Sequence, residues 1–469
     1  MNVPHLETPT NAMPKGLVKG WVIIALASVL SIGLYLILPY ADTTNKGLSL
    51  LLFIAILWLT EAIHITITAL LVPVLALLIG MPSETAGELK PLTMSKALST
   101  FADPIIFLFF GGFALATALH MQKLDRKIAM WIMSMSRGHL GFSVFTIFLV
   151  TAVLSMWISN TATAAMMLPL ALGLLSHLDA QKERKTFVFI LLGIAYSANI
   201  GGLGTLVGSP PNAIAAKALG YDFYDWMKIG VPMMLLILPA MLISLYVVLR
   251  PKLNHKVELV TEDIPWTKMR IATMLLFVST ALAWILSKKI GELLAITQTD
   301  TWIALLAACL VVIMGTATWK NIADNTDWGV LMLFGGGLTL SAVLKDSGTS
   351  LVLGQSLANA FGDVSPFWII IIVTTFIIFL TEFTSNTASA ALLVPVFAAI
   401  ADQMNMPAEI LVVVIGIGAS CAFMLPVATP PNAIVFGTGH IRQSEMIRVG
   451  MVLNILCIAI ISLFVYWFF

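Results

Sequence analysis

The chain has 469 residues, of which 59% are hydrophobic and only 10% charged, with a mean hydropathy of +0.98. Soluble globular proteins carry about 25% charged residues, so a water-soluble enzyme is excluded, and a net charge of +1 offers no field to gather nucleic acid. At about 20 residues per span, the apolar content suffices for a dozen or more membrane helices and leaves no room for a separate soluble domain.

Residues 1–19 are polar and hold no signal-peptide apolar region ahead of the first long span, which is therefore expected to be retained. Apolar segments are then predicted at 20–39, 48–62, 64–80, 103–122, 143–177, 187–218, 228–250, 269–287, 298–315, 328–345, 366–401, 409–438 and 448–469. Segments 143–177 and 366–401 are too long for one crossing and carry a polar interruption near the middle. Segments 187–218 and 409–438 are broken near their ends by Pro-Pro-Asn. With the N-terminus cytoplasmic and the two long segments returning to the face they leave, 17 of the 25 Lys and Arg fall on the cytoplasmic side. The predicted fold is an all-α polytopic membrane protein of about 11 transmembrane helices plus two re-entrant hairpins, with its C-terminus outside. Cys309, Cys421 and Cys457 lie in apolar stretches without metal-ligand spacing and read as packing residues.

The unusual features occur twice, in the same order. Asp103 with Phe110-Gly111-Gly112 recurs 224 residues later as Asp327 with Phe334-Gly335-Gly336. Ser159-Asn160-Thr161-Ala162 and Pro169 recur 226 residues later as Ser385-Asn386-Thr387-Ala388 and Pro395. Pro210-Pro211-Asn212-Ala213-Ile214 recurs 220 residues later as Pro430-Pro431-Asn432-Ala433-Ile434. The halves 48–250 and 269–469 each hold five spans and one hairpin. An odd number of spans turns the second copy upside down, the inverted-repeat plan of secondary transporters. The Ser-Asn-Thr tips of the two hairpins are expected to meet near the bilayer centre, where irregular backbone must line a cavity or be buried in protein.

A hairpin tip leaves helix-end carbonyls, which suit a hard cation, beside N–H groups carrying about half a positive charge, which suit an anion. Each Pro-Pro adds a second break by removing two N–H donors. The motifs contain no Lys or Arg, so a dianion held there needs bound cations as its counter-charge. Asp103 and Asp327 read as N-caps, and the Phe-Gly-Gly pairs as close-packing glycines. Glu61 and Glu382 are intramembrane acids and hence functional candidates, with local capping or pairing as the competing reading.

The paired Ser-Asn-Thr motifs, the paired Pro-Pro-Asn breaks and the segment Trp58-Leu59-Thr60-Glu61-Ala62 resemble the divalent-anion/sodium symporter family, in its dicarboxylate-transporting branch, from about residue 20 to 469. The resemblance implies a homodimer in a bacterial inner membrane that moves a small divalent carboxylate anion by an elevator-like shift coupled to two or more Na+. A fixed scaffold would comprise 20–134 and most of 228–360, and a moving transport domain 143–218 and 366–438, with 448–469 as the last helix. One Na+ site would use Ser155, Ser159, Asn160 and Gly208. Its repeat counterpart would use Thr381, Ser385, Asn386 and Ala428. Substrate would meet Asn160, Thr161, Ser209, Asn386, Thr387, Thr429 and Pro430. No organic cofactor is implied. An anion channel suits hairpins from both faces less well than alternating access does. An intramembrane enzyme would need His, Asp or Cys in the duplicated Ser-Asn-Thr and Pro-Pro-Asn motifs, which have none. Citrate, sulfate or another oxyanion remains open as substrate, and H+ or a counter-anion as coupling partner.

Overall fold

The structure, a computed structural model, describes residues 15–85, 87–134, 139–176, 178–180, 182–255, 264–362 and 364–469. Most of the expected cytoplasmic N-terminus therefore lies outside the described residues. Each predicted apolar segment is a helix or a pair of helices, and the chain is an all-α polytopic membrane protein. Among the described residues eight helices are long and apolar enough to cross a membrane, or up to ten if each of two bent pairs counts as one span. That count falls below eleven for a physical reason. Ile65–Leu78, the helices Leu140–Ser155 and Asn160–Leu175 and the half-helix Ala408–Gly418 are shorter apolar helices, most of them ending at a turn or a break instead of running through.

The repeat organises nearly every element. Asp42–Thr60 answers to Lys268–Ile285, Ile65–Leu78 to Thr299–Ile313, and Pro104–Met121 to Trp328–Asp346. Short helices missing from the hydropathy reading obey the same symmetry: Met94–Ser99 answers to Trp319–Asn325, and Leu124–Ser134 to Thr349–Phe361. The first hairpin has arms Leu140–Ser155 and Asn160–Leu175, the second Pro366–Thr381 and Asn386–Gln403. The first broken helix is Arg184–Gly201 and Pro210–Leu219, the second Ala408–Gly418 and Pro430–Phe436. Each half closes with a long helix, Phe223–Leu249 or Gln443–Phe468. One small antiparallel hairpin, Pro82–Thr85 with Glu88–Pro91, departs from the all-helical plan.

Local chemistry sets the boundaries. Proline occupies the first turn of Pro104–Met121, Pro210–Leu219, Pro366–Thr381 and Pro430–Phe436, where its missing N–H costs nothing. Asp103 accepts from Ile105 N at 3.1 Å and Asp327 from Val330 N at 3.1 Å, so both are N-caps as expected. The repeats interlock crosswise: Pro104–Met121 packs on Thr299–Ile313, and Trp328–Asp346 on Ile65–Leu78. A Cβ at Gly111 would lie 2.5 Å from the Ala304 carbonyl oxygen, and one at Gly336 2.5 Å from that of Ala69. The Phe-Gly-Gly motifs thus let backbones touch.

Candidate functional site

Both Ser-Asn-Thr motifs form hairpin tips. Ser159 and Ser385 are N-caps, accepting from Ala162 N at 3.2 Å and Ala388 N at 3.4 Å. Asn160 and Asn386 each begin the return arm, so their side chains stand at a helix N-terminus with its partial positive charge.

Behind each tip lies a matched cluster of hydroxyl, amide and carbonyl groups. In the first, the Ser155 hydroxyl donates to the Ala198 carbonyl at 2.7 Å and meets the Asn160 amide at 2.7 Å. With its nitrogen turned inward, Asn160 also donates to the carbonyls of Gly208 at 3.2 Å and Ala198 at 3.1 Å. In the second, the Thr381 hydroxyl meets Asn386 Oδ1 at 2.6 Å and the Ala419 carbonyl at 2.8 Å. Ser155 and Thr381 are fully buried. The structure therefore brings together Ser155, Asn160 and Gly208 in one cluster and Thr381 with Asn386 in the other. Ala428 is a buried member of the second break.

The breaks are matched too. Asn212 Nδ2 donates to the carbonyls of Gly202 at 2.8 Å and Thr205 at 2.7 Å. Asn432 Nδ2 donates to those of Ala422 and Leu425, both at 3.1 Å. Each asparagine thus satisfies carbonyls that the break has freed from helical bonding. The residues before the prolines join the repeats: Ser209 Oγ lies 3.0 Å from Ser420 Oγ, and Asn199 Nδ2 donates to Thr429 Oγ1 at 3.0 Å. Ser209 and Thr429 are each 3% exposed. Thr161 and Pro430 are exposed, while Asn160, Asn386 and Thr387 are half-buried.

Each return arm packs on the other repeat's post-break helix. Asn160–Leu175 lies against Pro430–Phe436, and Asn386–Gln403 against Pro210–Leu219. Their wider surroundings differ. Asn386–Gln403 also packs on Asp42–Thr60, Trp328–Asp346 and Thr349–Phe361. Asn160–Leu175 instead exposes Thr161, Ala162, Ala165 and Pro169 along one face.

The two acids separate. Glu61 is exposed at a left-handed C-terminal position of Asp42–Thr60. Glu382 is 1% exposed and accepts from the backbone N–H groups of Phe423, Met424 and Leu425. Asn199, Ser420 and Thr205, all central to these networks, were not anticipated from the sequence. Asn199 and Ser420 occupy equivalent places, yet as different residue types they leave no repeat signal.

Paired hairpins and paired broken helices recur in the two halves of an all-α polytopic membrane protein, and the proteins it resembles are transporters, not enzymes. A model of the citrate transporter family matches residues 55–418. An uncharacterized transporter of Haemophilus influenzae is 55% identical over 458 residues, 96% of this chain and 97% of that protein. The sodium-dependent dicarboxylate transporter SdcS of Staphylococcus aureus (strain USA300) is 34% identical over 466 residues, 91% of this chain and 86% of that one. The chain belongs to the citrate transporter family, and these relatives bear out the resemblance to the divalent-anion/sodium symporters. Two solved structures share the fold at low identity. The YdaH transporter of Alcanivorax borkumensis has a TM-score of 0.57 at 14% identity, over 87% of this chain and 98% of that one. MtrF of Neisseria gonorrhoeae has 0.55 at 12%, over 97% and 96%.

Proposed function

We propose that this protein is a Na+-coupled symporter of C4-dicarboxylates such as succinate. The observation that carries the reading is the mirrored pair of clusters, Ser155–Asn160 with the Ala198 and Gly208 carbonyls and Thr381–Asn386 with the Ala419 carbonyl. Hydroxyl, amide and carbonyl oxygens are hard ligands suited to Na+, and no cationic side chain belongs to either motif. Ser159 and Ser385 shape the two tips, and Ala428 completes the second cation site through its backbone.

Coupling follows from the two ends of an amide. Asn386 already presents Oδ1 to its cluster; when a cation replaces the inward hydrogen bonds of Asn160, that amide would turn its Oδ1 inward too, and each Nδ2 is then left to donate to a substrate carboxylate. Thr161 and Thr387 add hydroxyls, Pro430 forms a wall, and Ser209 and Thr429 brace the floor through their cross-repeat partners. A shared asparagine therefore gives ion and substrate a common coupling free energy.

Transport is of the elevator type, with the hairpins and broken helices moving against the remaining helices, in a homodimer in a bacterial inner membrane. The N-terminus is cytoplasmic and the C-terminus outside. In that orientation the exposed face of Asn160–Leu175 opens toward the cytoplasm, while the scaffold contacts of Asn386–Gln403 seal the other side. The family match gives citrate a specific claim as a second substrate. Liposomes holding the purified protein, assayed for labelled succinate uptake with citrate and sulfate as competitors, test the reading. Succinate uptake that ignores Na+, or no uptake of labelled succinate at all, would overturn it.

A further inference from the structure

Around the site the two repeats share most of their groups, and among their differences one brings in a charge. The residue after Ser155 is Met156, and the residue after its counterpart Thr381 is Glu382. The buried Glu382 carboxylate accepts from Phe423 N at 2.8 Å, from Met424 N at 3.0 Å on each oxygen, and from Leu425 N at 3.1 Å. Asn454 Nδ2 donates to it at 2.7 Å. These partners are all donors. A carboxylate meets such a set with acceptors alone, whereas a carboxylic acid would need somewhere to place its proton. Among the described residues no Lys, Arg or His pairs with Glu382.

The first repeat holds its break without charge. The Thr205 hydroxyl donates to the Met156 carbonyl and accepts from Gly208 N at 3.2 Å. The counterpart of Thr205 is Leu425, which has no hydroxyl. One break is therefore clipped by a neutral side chain, and the other is gripped by an anion placed next to a cluster residue, Thr381.

We propose that Glu382 makes the two cation sites unequal. It is a positioning residue: it holds loop 422–428 in the shape that presents the Ala428 backbone. Its negative field also favours a cation at the Thr381–Asn386 cluster over the Ser155–Asn160 cluster. The second site then fills at lower Na+, and the first sets the concentration at which substrate binding responds. This inference rests on reading both clusters as Na+ sites.

Equilibrium binding of labelled Na+ to the purified full chain tests it. The unmodified protein should show a tighter and a weaker class of site. Glu382→Gln should weaken the tighter class by about tenfold or more, as expected for loss of a unit charge on the residue adjoining Thr381. Glu382→Met combined with Leu425→Thr grafts the neutral clip onto the second break, and should weaken it likewise if the single variant does not fold. Asn454→Leu keeps the charge, and should lower thermal stability while leaving both affinities in place. Ser155→Ala should weaken only the looser class. Unchanged tight binding in either charge-removing variant, or equal shifts in Glu382→Gln and Asn454→Leu, would overturn the inference. No Na+ binding by the unmodified protein would instead overturn the reading of the clusters on which it depends.

Discussion

Asn160 and Asn386 stand where an ion and a carboxylate could share one side chain, because each begins a helix and reaches back to a buried hydroxyl. Asn160→Ala and Asn386→Ala are therefore expected to lower uptake at least about tenfold and to blunt its Na+ dependence together. Steady-state uptake across a Na+ series checks this, and lost uptake with intact Na+ dependence would contradict it. Asn212 and Asn432 have a different task. Removing either amide strands at least two break carbonyls, each costing about 1–3 kcal/mol when buried without a partner. Asn212→Ala and Asn432→Ala should each lower the thermal unfolding midpoint in detergent clearly, irrespective of Na+. At this scale the sequence announces what it duplicates. Asn212 and Asn432 were visible only as parts of Pro-Pro-Asn, and Glu382 remained ambiguous because its repeat partner is Met156.

At the scale of elements, hydropathy located each long apolar segment, and the polar interruptions located the hairpin turns. It missed Met94–Ser99, Leu124–Ser134, Trp319–Asn325 and Thr349–Phe361. These helices are short or mixed in polarity, and a window tuned to bilayer thickness averages them away. Tertiary ion pairs were equally illegible, since their partners lie far apart in sequence. Lys217, on the first post-break helix, pairs with Asp103 at 2.8 Å, and Lys288 reaches Asp222 at 3.3 Å and Asp225 at 2.9 Å. Asp300 Oδ2 accepts from Phe223 N at 2.8 Å. Asp103, Lys217, Asp222, Lys288 and Asp300 line a cavity of about 320 Å³ between the first post-break helix and the neighbouring ends of Pro104–Met121 and Thr299–Ile313. If the broken helix moves, the Lys217–Asp103 pair must open. Lys217→Ala, Asp103→Asn (which keeps the N-cap oxygen) and the double variant should then raise the substrate exchange rate by the same modest factor, with half-saturating Na+ unchanged. A double-mutant comparison of exchange rates checks it, and independent additive effects would show that the pair is not a latch.

For the whole molecule, the repeat is the feature that carried furthest. It placed the hairpins, breaks and closing helices from three duplicated motifs, because an inverted repeat ties distant segments to one another. Crosswise packing at Gly111–Ala304 and Gly336–Ala69 then ties each half to the other. Which helices of the two halves touch could not be read from spacing, since a repeat offset names no packing partner. What the fold leaves to chemistry is the substrate's charge: the Ser-Asn-Thr and Pro-Pro-Asn motifs that form the candidate site bring no cationic side chain, and on the proposed reading mobile cations complete it. The most direct measurement is labelled succinate uptake into liposomes holding the purified protein, with and without an inward Na+ gradient at matched ionic strength. Concentrative uptake with the Na+ gradient, falling to background when K+ replaces Na+, is the expected result; equal uptake in both conditions would contradict a cation-completed site.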